Sequence, residues 1–254
     1  MLGRKFCGTL VGAVLSLIVS ASTSYGFVIG ATSPGKWGSP ALGTGATVTW
    51  SLMATGVDLT VEGAPFNPVS NTALSAFMPA GFKTQIENAF DAWSAVADIT
   101  FIEVADLGEA FNAAVQLSGD IRLGGHFFDG GGSVLAHGFF PPVNGDSAAG
   151  DIHFDTGDSW DVGLVGPGFS IFQVASHEIG HALGLSHTGV ASSLMNPSYT
   201  EAFFGPQADD IAGAQFLYGE AIVAISLPAT LPLFGAGLAI FSFMGWREKR
   251  KLAA

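Results

Sequence analysis

The 254-residue sequence predicts an α+β fold: a twisted, mostly parallel sheet with one short edge strand, backed by two long helices, over a smaller lower part after Gly184. Three observations predict it. Short apolar runs bounded by polar or glycine residues punctuate positions 46–123, as strands do. Apolar residues recur at three- and four-residue spacing over 82–96, as one face of a helix requires. A second helical stretch, Phe169 to Leu185, carries Gly184 near its expected end. With 48% apolar residues the chain has ample material for a core.

In chain order, Arg4 and Lys5 precede an apolar run from Leu10 to Val19 and then small residues through Gly26, the order of a secretory signal peptide over 1–26. A retained anchor is the alternative, and the run is short for one. Gly, Ser, Thr and Pro crowd 29–46, an extended lead into a strand from Ala46 to Met53 that alternates through Val48, Trp50 and Leu52. Phe82, Ile86, Ala89, Phe90 and Trp93 give the first helix its apolar face. Further strands are expected at Ile99 to Val104, Ala114 to Leu117 and Ile121 to Leu123. A last helix, Ala208 to Tyr218, opens with Asp209 and Asp210, where a helix N-terminus favours negative charge. One domain is thus expected over 27–220. No charge occurs from Ala221 to Trp246, and Arg247, Glu248, Lys249, Arg250 and Lys251 follow, so 221–254 is long enough to span a bilayer with its basic end cytoplasmic.

Charge and cysteine content exclude several classes. Between Phe27 and Trp246 the only basic residues are Lys36, Lys83 and Arg122, against twenty carboxylates. Nucleic acid is not a partner for such a body, because phosphate binding needs clustered Lys and Arg. The acidity fits solubility outside a cell and equally a share in calcium binding. Cys7, the only cysteine, lies in the leader, so the mature chain holds no disulfide and metal ions are the expected staples.

The segment His177-Glu-Ile-Gly-His-Ala-Leu-Gly-Leu-Ser-His187 carries the chemistry. On a helix, His177 and His181 lie one turn apart on one face and can share a metal. Gly184 tolerates positive φ, so the chain can turn and bring in His187. Three neutral imidazoles leave a zinc position open for water, which marks a catalytic site. Glu178 projects about 100° round the helix from His177, where it can take a proton from that water without being a ligand.

The extended HExxHxxGxxH pattern, followed by Ser193-Leu-Met-Asn-Pro-Ser-Tyr199, resembles the metzincin zinc peptidases, and Thr188 after the third His resembles their matrixin branch. Lys36-Trp37, Val48-Thr-Trp-Ser51, Ala89-Phe-Asp-Ala-Trp-Ser94, Ile99-Thr-Phe101, Asp120-Ile-Arg-Leu123 and Asp209 to Gly219 extend the resemblance over 36–219, with an insertion between Leu52 and Phe82. The resemblance implies a five-stranded catalytic domain, a catalytic zinc, a protein or peptide substrate, Met195 in a turn beneath the ligands, and Pro197 and Tyr199 walling the substrate pocket. It also implies a structural zinc on His126, His137 and His153, and a calcium held by Asp129, Asp155 and Asp158 with the carbonyls of Gly130, Gly132 and Val134. One departure stands out: Phe128 occupies the place of a ligand Asp, so the structural zinc needs a different fourth ligand or is absent.

No propeptide cysteine motif is present, so the expected protein is active once metallated, or restrained by a separate inhibitor. Ser226-Leu-Pro-Ala-Thr230, the apolar stretch and the basic tail resemble the Leu-Pro-Ala variant of the PEP-CTERM sorting signals of Gram-negative bacteria. That resemblance implies a cell-surface or extracellular protein, a transient membrane anchor, and an exosortase-like sorting protease cutting near Leu227 to Ala229; otherwise the chain is membrane-tethered. Two functional alternatives to a secreted endopeptidase remain: a non-catalytic, metal-stabilised matrix or adhesion module, and an enzyme whose main target is its own tail.

Overall fold

The computed structural model describes residues 26–33, 35–142 and 147–222. In chain order the elements are β1 (Val28–Ile29), β2 (Ala46–Leu52), α1 (Phe82–Ser94), β3 (Ile99–Glu103), β4 (Ile121–His126), β5 (Ala136–Gly138), β6 (Ile152–Asp155), β7 (Trp160–Asp161), β8 (Phe169–Ser170), α2 (Ile171–Ala182), β9 (Leu185–Ser186) and α3 (Ala208–Tyr218). Five strands form one sheet in the order β3-β2-β4-β6-β5. β2, β3, β4 and β6 are parallel, and β5 pairs antiparallel with β6 at the edge, so the expected sheet is present.

α1 and α2 pack together beneath this sheet. α1 turns Ile86, Ala89, Phe90 and Trp93 inward, and Trp50 of β2 stacks on Phe90 at 4.9 Å. Trp93 is fully buried and donates from its indole N–H to the Ser176 carbonyl at 2.9 Å, which ties the two helices at the level of the metal-binding turn. α2 is buried on nearly every side, from Ile171 to Ala182, as a helix lying between the sheet and the lower part must be.

Local chemistry sets the helix limits. The Ser170 side chain accepts from the Gln173 N–H and caps α2, which begins two residues later than the sequence pattern predicts, because Phe169 and Ser170 instead pair with Trp160 and Asp161. α2 stops at Ala182; Gly184 takes φ 106°, and a Cβ there would collide with the Gly35 carbonyl oxygen. Its own carbonyl accepts from Gly30 N–H at 2.8 Å, and β1 pairs with β9, so the N-terminal segment seals the turn. α3 opens on a reciprocal cap between Gln207 and Asp210.

The strand expected at Ala114 to Leu117 is absent. The N–H groups of Leu117 and Ser118 donate to the Glu109 carboxylate at 2.9 and 2.8 Å instead of to a neighbouring strand, and Val115 and Leu117 face solvent. The insertion between Leu52 and Phe82 forms a folded loop whose neck is fastened to β4. The Asn71 side chain accepts from Gly125 N–H at 2.7 Å and donates to the carbonyls of Met53 and Ala54, and Thr72 bridges Gly125. Among the described residues no helix is long and apolar enough to cross a membrane. The expected leader 1–26, but for Gly26, and the expected tail, but for 221 and 222, lie outside the described residues.

Candidate metal centres and active-site cleft

α2 places His177 and His181 one turn apart, and the bend at Gly184 brings His187 across to face them. The Nε2 atom of His187 lies 3.2 Å from Nε2 of His177 and 3.1 Å from Nε2 of His181. His177 donates from Nδ1 to the Leu194 carbonyl and His181 from Nδ1 to the Leu185 carbonyl, each at 2.7 Å. A carbonyl only accepts, so both rings carry their proton on Nδ1 and turn the bare Nε2 lone pair towards one point. Two nitrogens held about 2.0–2.1 Å from a zinc at the tetrahedral angle stand about 3.3 Å apart, so the trio fits that ion. Burial pulls His177 down to about 4 and His181 to about 3, and lowers His187, which keeps all three neutral near pH 7.

Glu178 follows His177 on α2 and lines the same cleft as the trio. It is buried, its Oε2 has no hydrogen-bond partner among the described residues, and burial pushes its carboxyl up to about 8. A cation in the imidazole trio would favour the charged form and pull that value down. Gly138 of β5 lets the edge strand approach closely: a Cβ there would stand 3.0 Å from the Glu178 carbonyl and 3.2 Å from its Oε2.

A turn over 193–195 supports the trio from below. Met195 is buried against α2, where Gly180 has no side chain to collide with its sulfur. Asp210, itself buried, accepts from Leu194 N–H at 2.7 Å, Met195 N–H at 3.0 Å, Gln207 N–H at 2.8 Å and the Ser193 hydroxyl. The Leu194 carbonyl in turn receives the His177 proton. The sequence reading of Asp210 as a favourable charge at a helix start missed this role; its signal is the pairing with Ser193 just before the expected Met-turn.

Beside the trio lies a cavity of about 400 Å³, lined by Val134, Leu135, Phe169, Val174, Pro197 and Tyr199, with His177, Glu178 and His187 at its mouth. Tyr199 accepts from Ser170 N–H at 3.0 Å and donates to Glu201 at 3.0 Å; burial pushes its hydroxyl up to about 12, so it stays protonated. A second cavity of about 360 Å³ continues past Gly138, Phe140, His181 and Ser186 on the other side of the trio. β5 forms the rim between them.

The second histidine group also converges, and on a residue the sequence reading did not assign. His126 Nε2, His137 Nε2 and His153 Nδ1 lie 3.0, 3.1 and 2.9 Å from the carboxylate oxygens of Glu62, in the insertion. These four ligand atoms are mutually within 4.8 Å. Between Leu52 and Phe82 the only carboxylates are Asp58 and Glu62, and that scarcity was the available signal. Asp58 is spent on Thr60, whose N–H and hydroxyl it accepts.

The three expected calcium carboxylates meet less closely. Among the described residues only the two histidine groups bring three or more ligand atoms within that mutual distance. Asp155 Oδ1 accepts from Phe128 and Gly157 N–H, and Asp158 Oδ1 from Gly132 N–H, while the Oδ2 of each is buried without a partner among the described residues. Burial, with the facing charges of Asp155 and Asp129, holds the Asp158 carboxyl above its ordinary value despite the Gly132 hydrogen bond. Asp129 stands further out, 3.5 Å from Val134 N–H.

A family model for the matrixins, peptidase M10, matches residues 68–219. The chain belongs to the matrixin family. This matrixin is 37% identical to karilysin of Tannerella forsythia over 134 residues, 53% of this chain and 28% of karilysin. It is 40% identical to mouse (Mus musculus) stromelysin-3 over 148 residues, 57% of this chain and 28% of that protein. With human (Homo sapiens) matrix metalloproteinase-20 it shares 38% identity over 151 residues, 58% of this chain and 29% of the relative. The chain spans under a third of the length of these relatives. The matched region includes both histidine groups and begins after Glu62, so this matrixin draws one member of its second cluster from outside the family match.

Proposed function

We propose that this matrixin is an exported zinc-dependent endopeptidase, with His177, His181 and His187 holding the metal and Glu178 acting as general base. The observation that carries it is the convergence of three Nε2 atoms in a cleft that also holds a buried carboxylate whose Oε2 has no partner among the described residues. When bound there, zinc supplies Lewis-acid chemistry, polarising a peptide carbonyl and acidifying a water molecule. Glu178 takes the proton from the water as it attacks and gives it to the departing amine nitrogen. The edge strand β5, paired among the described residues only with β6, offers its outer side to an extended peptide, which adds as a further strand. The residue after the scissile bond enters the 400 Å³ cavity against Pro197 and Tyr199.

Asp129, Asp155 and Asp158, with the carbonyls of Gly130, Gly132 and Val134, would hold calcium, which takes six or more oxygens and would use the two unpaired Oδ2 atoms. Export through the leader, and sorting by an exosortase-like protease acting on a transient anchor, rest on the sequence pattern at the two ends. The decisive experiment is a peptide-library digest read by mass spectrometry, with native protein and with Glu178→Gln. The variant should keep its zinc and lose cleavage by about 10²–10⁴-fold. Equal cleavage by both would remove Glu178 from the chemistry, and a fully zinc-loaded native protein that cuts nothing would return the chain to a non-catalytic module.

A further inference from the structure

We propose that Glu62 is a metal ligand: together with His126, His137 and His153 it forms a closed zinc site, so that the insertion supplies the ligand that the strand after His126 lacks. The inference concerns a centre separate from the catalytic trio and deepens the reading of this chain as a zinc protein.

Four features carry it. First, the cluster is closed: His153 is fully buried, the side chains of His126 and Glu62 are 3% and 5% exposed, and His137 is 24% exposed. Second, the contacts are close and badly aimed for hydrogen bonds. His137 Nε2 and His153 Nδ1 each lie within 3.1 Å of a Glu62 oxygen, yet both nitrogens and the Glu62 Oε2 have no hydrogen-bond partner. One ligand atom from each of the four residues lies within 4.8 Å of the others, close enough for one ion to take all four. Third, the proton count disfavours a simple hydrogen-bonded cluster. His126 sets Nδ1 3.1 Å from the Phe127 carbonyl, an acceptor, and a ring with its single proton there turns a bare Nε2 to a bare carboxylate oxygen 3.0 Å away, so the two lone pairs repel. A cation between them removes that repulsion. Fourth, the donor set of three imidazoles and one carboxylate in a closed four-coordinate shell suits zinc and not an oxygen-seeking ion.

The insertion is built to deliver this carboxylate. Its two limbs pair through Leu59 N–H to the Val69 carbonyl, Asn71 N–H to the Val57 carbonyl, and a bridge from Asp58 to Ser70. Phe66 stacks on Phe128 at 4.4 Å, so the residue occupying the implied ligand position packs the loop that brings Glu62 in. Leu59, Val57 and Met53 pack with Phe111 beneath it. A tip held at its neck by Asn71 and at its end by a metal is cross-linked at both ends.

The test counts metal in the full mature chain, carried in a Glu178→Gln background to prevent self-digestion. After exposure to a zinc chelator of graded strength, the parent should retain two zinc ions per chain, and added Glu62→Gln, an isosteric change, should leave one. His137→Ala should give the same loss, and both should expose 54–70 to cleavage by an added protease. If Glu62→Gln retains both ions while His137→Ala retains one, the imidazoles hold the metal without Glu62 and the proposal is overturned. A parent with one zinc that disappears on His187→Ala also overturns it, while sparing the catalytic reading. A parent whose single zinc survives His187→Ala but not Glu62→Gln supports this site and sinks the catalytic one.

Discussion

Asp210 is a single carboxylate on which the geometry of the trio depends, because it fixes the 193–195 turn whose Leu194 carbonyl orients the His177 ring. Asp210→Asn keeps the size but turns at least one acceptor into a donor facing N–H groups. Hydrogen bonds to charged groups contribute about 1.5–3 kcal/mol each, so thermal denaturation should show a loss of about 2–4 kcal/mol. Zinc affinity should drop with it, and an unchanged affinity would show that His177 is positioned by other contacts. Gly184→Ala belongs to the same scale: positive φ and the Gly35 carbonyl both oppose a side chain, and the loss should exceed 1 kcal/mol.

Between the elements, the α1–α2 contact is the firmest that the sequence announces. Truncating the fully buried Trp93 to Ala removes core volume and leaves the Ser176 carbonyl without its donor; equilibrium unfolding should register a loss of about 3–5 kcal/mol. Periodicity revealed α1 because its apolar face is one-sided, and the His spacing revealed α2 because ligand geometry and helix geometry coincide. The catalytic trio, Glu178 and the Met195 turn were legible for the same reason, since their spacing along the chain is short. Glu62 was not, because 64 residues separate it from His126 and only the folded insertion brings them together. The apolar run at Ala114 to Leu117 misled because Glu109 satisfies the backbone that a neighbouring strand would otherwise pair.

Over the whole molecule, the buried histidines couple stability to acidity. Burial holds His153 and His177 near 4 and His181 near 3, against about 6.5 in an unfolded chain. On these rings the unfolded state takes up protons first as pH falls, so the histidines' contribution to the metal-free fold is complete above about pH 6.5 and is lost progressively towards about pH 4. The buried carboxyls of Glu178 and Asp151, both raised, act in the opposite direction above about pH 5.5. Differential scanning calorimetry of chelated protein should show the transition temperature falling between about pH 5.5 and pH 4, once the unfolded rings are nearly all charged. With zinc present the fall should begin at lower pH, because bound metal opposes protonation of the same rings. Identical pH profiles with and without zinc would contradict this.

The outer side of β5, unpaired among the described residues, sets a condition that no pocket can relax. A polypeptide lying along it has to surrender whatever helix or tertiary packing it had over several residues, so the stability of the target enters the rate directly. If opening a given segment costs about 4 kcal/mol, its cleavage is slowed about a thousandfold relative to an unstructured copy of the same sequence. On the proposed activity, the protein would therefore discriminate by foldedness before it discriminates by side chain, sparing native neighbours and consuming linkers, tails and partly unravelled chains.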